Sequence, residues 1–201
     1  MDLHLDIRTI PVGALETNCY LLCDGGECAL IDPGESAALL LQAVRESGAE
    51  LRCILLTHGH FDHFTAISDI LAVYPDVPVY IHEGDSAEEA EQLRFRRLDA
   101  HNQRFYAEGD KLSLGGLTIT VLETPGHSRG SVVLQVENVL FTGDTLFAGC
   151  CGRTDLFGGN TRDMIHSLRR LAALPGDYLV LSGHGPASTM EEERRSNPYL
   201  R

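Results

Sequence analysis

The chain has 201 residues, 43% apolar and 22% charged, which is ordinary globular composition rather than that of a disordered chain. Sixteen Lys and Arg stand against 29 Asp and Glu, a net charge of −13. So acidic a chain is poorly suited to gripping nucleic-acid phosphates or an anionic membrane surface. No apolar run approaches the roughly 20 residues of a bilayer span.

The N-terminus, Met1-Asp2-Leu3-His4, carries acid where a secretion signal carries base. A cytoplasmic protein folded as one domain over 1–201 is therefore expected. In chain order, residues 3–10 alternate as a strand, and 19–23 and 28–31 read as two more, joined by the turn Asp24-Gly25-Gly26. Pro33-Gly34 breaks the pattern, and 35–47 has the spacing of an amphipathic helix ended by Gly48. A strand over 51–56, a helix over 64–74, a short strand over 77–81 and a charged helix over 86–98 follow. In the second half, 117–122 alternates Thr with Ile, Val and Leu, and 131–136 and 139–141 pair around Glu137-Asn138. Residues 162–174 form a helix stopped by Pro175-Gly176, 178–181 a strand and 191–195 a short polar helix. Each half runs strands first, then strands mixed with helices. That order points to two sheets packed face to face with helices outside, a layered α/β domain.

The chemistry gathers at strand ends. Of nine histidines, His58, His60, His63, His127 and His184 lie directly after apolar strands or in the turns those strands feed, and so does Asp144. The strand 51–56 runs into Thr57-His58-Gly59-His60-Phe61-Asp62-His63. The later strands run into Pro125-Gly126-His127, Gly143-Asp144 and Gly183-His184-Gly185. Loops at strand ends are where α/β proteins carry ligands. Gly59 lets the backbone bend, and Asp62 can open the following helix, on which adjacent residues diverge by roughly 100°. His58 and His60 can then aim at one point while Asp62 and His63 aim at a neighbouring one. With His127, Asp144 and His184 there are seven candidate ligands. One tetrahedral zinc takes four, so seven suit two ions a few Å apart with a carboxylate and a hydroxide between them. His4, His82, His101 and His166 have no such company and read as structural or solvated. The six cysteines form no CxxC pair and read as reduced thiols, with a redox role for the adjacent Cys150-Cys151 as the lesser alternative.

At these residues the sequence resembles the metallo-β-lactamase-fold hydrolases. Thr57-His58-Gly59-His60-Phe61-Asp62-His63 is similar to the family's metal signature, and His127, Asp144 and His184 match its remaining ligands in order. The resemblance runs from Ile31-Asp32-Pro33-Gly34 to Asn197-Pro198 and is nearest to the glyoxalase II branch, the hydroxyacylglutathione hydrolases. Phe141-Thr142-Gly143-Asp144-Thr145-Leu146-Phe147 and Gly152-Arg153-Thr154-Asp155 carry that nearer match. It implies an αββα sandwich with two metals at one edge of the two sheets. His58, His60 and His127 would hold one ion, Asp62, His63 and His184 the other, and Asp144 would bridge them. Asp32, a recurrent turn residue of the fold, would support the site rather than bind metal.

The activity implied is hydrolysis of a small-molecule thioester, an acylglutathione such as lactoylglutathione, by a hydroxide between the ions. Asp62 would also relay a proton. Zinc is the first expectation for both ions, with iron or manganese as alternatives, since imidazole and carboxylate suit all three. Arg153 falls where the branch carries a basic residue that meets glutathione; the other reading is a surface ion pair with Asp155. Longer members add a helical C-terminal extension that supplies more of the glutathione site. This chain stops at Arg201 without one, so the metal chemistry carries over better than the substrate. Two rivals share the scaffold: a persulfide dioxygenase using one iron on His58, His127 and Asp144, and a lactonase or β-lactamase. The β-lactamases with a cysteine ligand need it where Asp144 stands, so this chain is not of that type.

Overall fold

The computed structural model describes residues 5–86 and 102–200. The first half opens as an antiparallel meander of β1 (Asp6–Val12), β2 (Thr17–Asp24) and β3 (Glu27–Ile31). Gly25 and Gly26 close the second turn with φ of 58° and 84°, the left-handed pair that matches strand twist in a two-residue hairpin. Helix α1 (Ala37–Ser47) ends at Gly48, and β4 (Glu50–Leu55) returns parallel to β3. After α2 (Ile67–Val73), β5 (Val79–His82) and β6 (Gln103–Tyr106) extend the sheet in parallel. The six strands lie in the order β1-β2-β3-β4-β5-β6.

The second half begins as another antiparallel meander: β7 (Lys111–Leu114), β8 (Leu117–Glu123), β9 (Val132–Val136) and β10 (Val139–Gly143). A two-stranded ribbon, β11 (Leu146–Phe147) and β12 (Cys150–Cys151), leads to α3 (Thr161–Ala172). Strand β13 (Leu179–Ser182) then lies parallel to β10, and β14 (Ser188–Thr189) and α4 (Met190–Ser196) follow. This sheet runs β14-β13-β10-β9-β8-β7.

Strand alternation sorts the apolar residues into three cores, one for each gap of an αββα sandwich. Leu22, Ile31 and Leu55 of the first sheet meet Ile119, Val121, Leu134 and Phe141 of the second in the central core. Their sequence neighbours Leu21, Leu30 and Ile54 point the other way, against Leu40 and Val44 of α1 and Ile67 and Ile70 of α2. On the far side Val133, Leu140 and Val180 pack against Met164, Leu168 and Leu171 of α3. Each such Leu, Ile or Val contributes roughly 1.5–3 kcal/mol by leaving water. The expected layered α/β architecture is the one observed.

Several boundaries differ from the sequence reading. The second helix starts at Ile67, not at 64, because Thr65 and Ala66 are tied to the Pro33-Gly34 break: the Ala66 amide donates to the carbonyl of Gly34 at 2.7 Å, and the Thr65 hydroxyl bonds the same carbonyl. Residues 61–63 form a single 3-10 turn. The third helix gains Thr161, since the Asn160 side chain accepts from the amides of Arg162 and Asp163 and so caps it one residue earlier. Strands β6, β7, β11, β12 and β14 carry no sequence signal strong enough to mark them. All are two to four residues long, and alternation needs more residues than that to stand out. The charged helix expected over 86–98 lies, beyond Ser86, outside the described residues. Among the described residues no helix is long and apolar enough to cross a membrane.

Candidate metal centre

The two sheets bring four strand ends to one edge. His58 and His60 follow β4, His127 follows β8, Asp144 follows β10 and His184 follows β13. Because β10 and β13 are parallel neighbours, Asp144 and His184 leave the sheet side by side. Backbone ties close the edge between sheets: the Asn18 amide donates to the carbonyl of Gly183 at 2.7 Å, and the Val132 amide to that of Thr57 at 2.8 Å. The Asn18 side chain adds bonds to the carbonyls of Ser182 and Gly185, at 3.0 and 2.9 Å.

All seven predicted residues converge there. His58, His60 and His127 present one ligand atom each within 4.8 Å of one another, and Asp62, His63 and His184 do the same. The Asp144 carboxylate lies between the triads. Its Oδ2 is 3.4 Å from His127 Nε2 and 3.7 Å from His184 Nε2, and its Oδ1 is 3.4 Å from His63 Nε2. His60 Nδ1 and His127 Nε2 are only 2.7 Å apart.

A third grouping, Asp32 with His58 and His63, is equally close, but the acceptors of Asp32 are already occupied. Its Oδ1 takes the Thr57 amide at 2.7 Å, and its Oδ2 takes the Thr57 hydroxyl at 2.6 Å and His63 Nδ1 at 3.0 Å. Since the Thr57 hydroxyl spends its proton on Asp32, His58 Nδ1 donates to that oxygen, at 3.1 Å. One buried carboxylate thereby orients a histidine of each triad, as expected of a support. His127 Nδ1 donates to the Arg153 carbonyl at 2.8 Å and His184 Nδ1 to the Leu15 carbonyl at 3.1 Å. In these four rings Nδ1 is fixed on an oxygen, which turns Nε2 toward the centre.

Neighbouring glycines make room. A Cβ on Gly183 would stand 2.2 Å from Asp144 Oδ1 and 2.8 Å from a carbon of the His63 ring, and one on Gly143 would meet the Thr57 hydroxyl at 2.3 Å.

The two triads differ electrostatically. Burial, aided by the surrounding imidazoles, pushes His58 well below the usual histidine value, and burial with His127 beside it pushes His60 down to about 4. Both are neutral donors at pH 7. Burial also works against protonation of His63, but the carboxylates of Asp144 and Asp32 outweigh it and carry that ring up to about 9. The Asp62 hydrogen bond raises His184. Burial pushes the Asp62 carboxyl up, yet His184, His63 and the Thr17 hydroxyl overcome that and hold it well below the carboxylate range.

The donor set suits metal ions on a direct test. His58 Nε2, His63 Nε2 and Asp144 Oδ1, all turned to the centre, are buried with no hydrogen-bond partner. Such atoms cost free energy unless something binds them. Carboxylates and neutral imidazoles are the donors that zinc, iron and manganese accept.

The centre floors a pocket of about 620 Å³ whose mouth carries exposed Leu15, Phe61, Leu156 and Phe157. Arg153 lines it too. Its guanidinium is held by both oxygens of Asp155, at 2.7 and 2.8 Å, in an exposed pair. The sequence reading missed the backbone part of Arg153, the support from Thr17 and Thr57, and the apolar mouth. None of these has a residue-type signature. Cys150 and Cys151 form no metal cluster among the described residues, and all six cysteines are free thiols. His82 bonds Glu123 at 3.0 Å and accepts the Gly84 amide, a structural role.

Comparison with known proteins agrees with this geometry. Residues 12–184 match the model of the metallo-beta-lactamase superfamily. A probable metallo-hydrolase, YqgX of Bacillus subtilis, is 38% identical over 204 residues, 96% of each chain. Hydroxyacylglutathione hydrolase GloC of Haemophilus influenzae is 36% identical over 208 residues, 98% of each chain. Among solved structures, the B3 metallo-beta-lactamase BLEG-1 superposes with a TM-score of 0.86 at 33% identity, covering 97% of this chain and 99% of its own. TTHA1623 in a di-iron-bound form superposes at 0.83 and 35%, covering 96% and 100%. The αββα fold, the strand-end His/Asp clusters and the near full-length matches place the chain in the metallo-beta-lactamase superfamily, as a metal-dependent hydrolase.

Proposed function

We propose that the protein hydrolyses thioesters at a two-metal centre, with acylglutathiones such as lactoylglutathione as the first substrate class. The observation that carries this reading is the Asp144 carboxylate standing between two complete triads. His58, His60 and His127 would hold one cation, Asp62, His63 and His184 the other, and Asp144 both. When bound, a pair of divalent cations polarises a carbonyl and lowers the pKa of water toward neutrality. Zinc is the first choice for both positions, with iron or manganese as alternatives.

The chain's own residues do the rest. Asp32, Thr57 and the carbonyls of Arg153 and Leu15 hold the rings so that little reorganisation accompanies reaction. Asp62, which lines the pocket and accepts from the Thr17 hydroxyl, would relay a proton besides holding a cation. A thiolate leaves without a strong acid, because thiol pKa values lie near 8.5. The exposed apolar side chains at the mouth offer contact surface to the acyl group. Arg153, paired with Asp155 but exposed beside the pocket, can exchange that partner for a substrate carboxylate. The −13 charge favours a small-molecule substrate over a nucleic acid, and six free thiols suit the reducing cytoplasm.

Likeness to a B3 metallo-beta-lactamase keeps β-lactams in view as the second reading. The test is one substrate panel on metal-replete protein: acylglutathione, lactone, β-lactam and persulfide. Acylglutathione turnover, undiminished without oxygen, is expected. No acylglutathione turnover beside clear β-lactam turnover would replace the first reading with the second. Oxygen-dependent consumption of the persulfide alone would point to a single-iron dioxygenase. Metal analysis after desalting should find about two ions per chain.

A further inference from the structure

The three-imidazole triad has a buried anchor that the mechanism above does not use. Asp85 closes the short turn Glu83–Asp85 after β5 and is 1% exposed. Its Oδ2 accepts from the Gly59 amide at 2.8 Å and from the Ser128 hydroxyl at 2.6 Å, and its Oδ1 accepts from the Gly130 amide at 2.7 Å. Gly59 is the residue between His58 and His60, and Ser128 follows His127. One carboxylate thus joins the two loops that carry His58, His60 and His127. All three of its partners are donors, so the position demands an acceptor on both oxygens.

Sterics say the same. A Cβ on Gly130 would stand 2.7 Å from the Asp85 amide nitrogen and 2.8 Å from its Cγ, and one on Gly59 would stand 3.0 Å from its Cβ. Both loops close on Asp85 to a distance that glycine permits. The hydrogen bonds of Asp85 reach neither Asp62, His63 nor His184, which lean instead on Thr17, Asp32 and the Leu15 carbonyl.

We propose that Asp85 is a positioning residue that pre-forms the His58–His60–His127 half of the centre and sets cation affinity there, independently of the other half. This rests on reading that triad as the holder of one cation. Asp85→Asn is the informative change, because it turns one acceptor into an NH2 group facing an N–H donor. The full-length protein is loaded with cobalt(II) and challenged with graded chelator, and release is followed by visible absorbance. The far-UV spectrum and thermal midpoint of each metal-stripped variant check its fold.

The wild type should release two equivalents. Asp85→Asn should release one of them at a chelator strength about 10–100-fold lower, the usual effect of losing a partner behind a metal ligand, and the other as the wild type does. Equal shifts of both equivalents, or none, would overturn the proposal. Should Asp85→Asn fail to fold, Ser128→Ala carries the same test: a several-fold shift of one equivalent supports the role, and no shift overturns it. A wild type that binds no cobalt would sink the two-cation reading itself, and that result is distinct from either outcome in the variants.

Discussion

At the scale of single residues, the centre is a problem of lone pairs. His58, His63, His127 and His184 each spend one nitrogen on an oxygen and keep the other for the interior, and Asp144 reaches both triads. Asp144→Ala removes that reach. It should lower the metal content from about two ions to about one per chain and cut kcat/KM at least a hundredfold, the scale of losing one preorganised electrostatic contact. Metal analysis with steady-state kinetics checks it, and unchanged values for both would end the bridging role. The candidate residues that converge here were legible in the sequence because metal donors are few and these fall at strand ends. Asp85 was not, since a carboxylate after a strand reads the same whether it faces water or two buried amides.

At the scale of elements, loops rather than strands set what the site accepts. Phe157 stands on the segment before α3 and forms part of the pocket mouth, with the Arg129 guanidinium 5.9 Å from its ring centre. Phe157→Ala should raise KM for an acyl thioester about three- to tenfold with kcat little changed, as expected when partial apolar burial of substrate is lost. A fall in kcat at constant KM would place Phe157 in the chemistry instead.

Helix α3 is fastened to the loop before β7 by Arg170, which donates to both oxygens of Glu108 at 2.7 and 2.6 Å. That pair depresses the Glu108 pKa. A depressed carboxyl contributes stability above its ordinary value and loses it as pH falls through the folded value. Glu108→Gln should therefore lower stability at pH 7 by less than about 1 kcal/mol, because the pair is largely solvated, and the cost should vanish in acid. Urea unfolding at pH 7 and pH 3 checks this. A deficit that does not shrink at all between pH 7 and pH 3 would show that the effect is not electrostatic.

At the scale of the whole molecule, the two-cation reading predicts that metal and fold are coupled. The candidate ligands come from both sheets, so ions at this edge would tie the two halves of the sandwich together. Stripping metal with chelator should lower the thermal midpoint by at least about 5 °C. That follows if binding at a hundredfold excess over Kd adds about 2.7 kcal/mol and each kcal/mol moves a chain of this size by a few degrees. A midpoint unmoved by complete metal removal would mean that the site costs nothing to leave empty.

What the sequence determined by itself was local: the period of the long strands, the glycine and proline stops of the helices, and which residue types stand at strand ends. The order of strands and helices in each half pointed to the layered class, whereas the continuous apolar runs of β2, β3 and β4 left their faces unassigned. Only the tertiary structure decided the rest. It placed His127, Asp144 and His184 beside the 58–63 segment, gave His63 and His58 a common anchor in Asp32, and set Arg153 against Asp155. The first of these depends on the packing of one sheet on the other, through contacts between positions 164 and 167 apart such as Asn18 with Ser182 and Gly185. Hydrophobic periodicity has no range over such distances, because it records which way a side chain points and not which strand lies opposite.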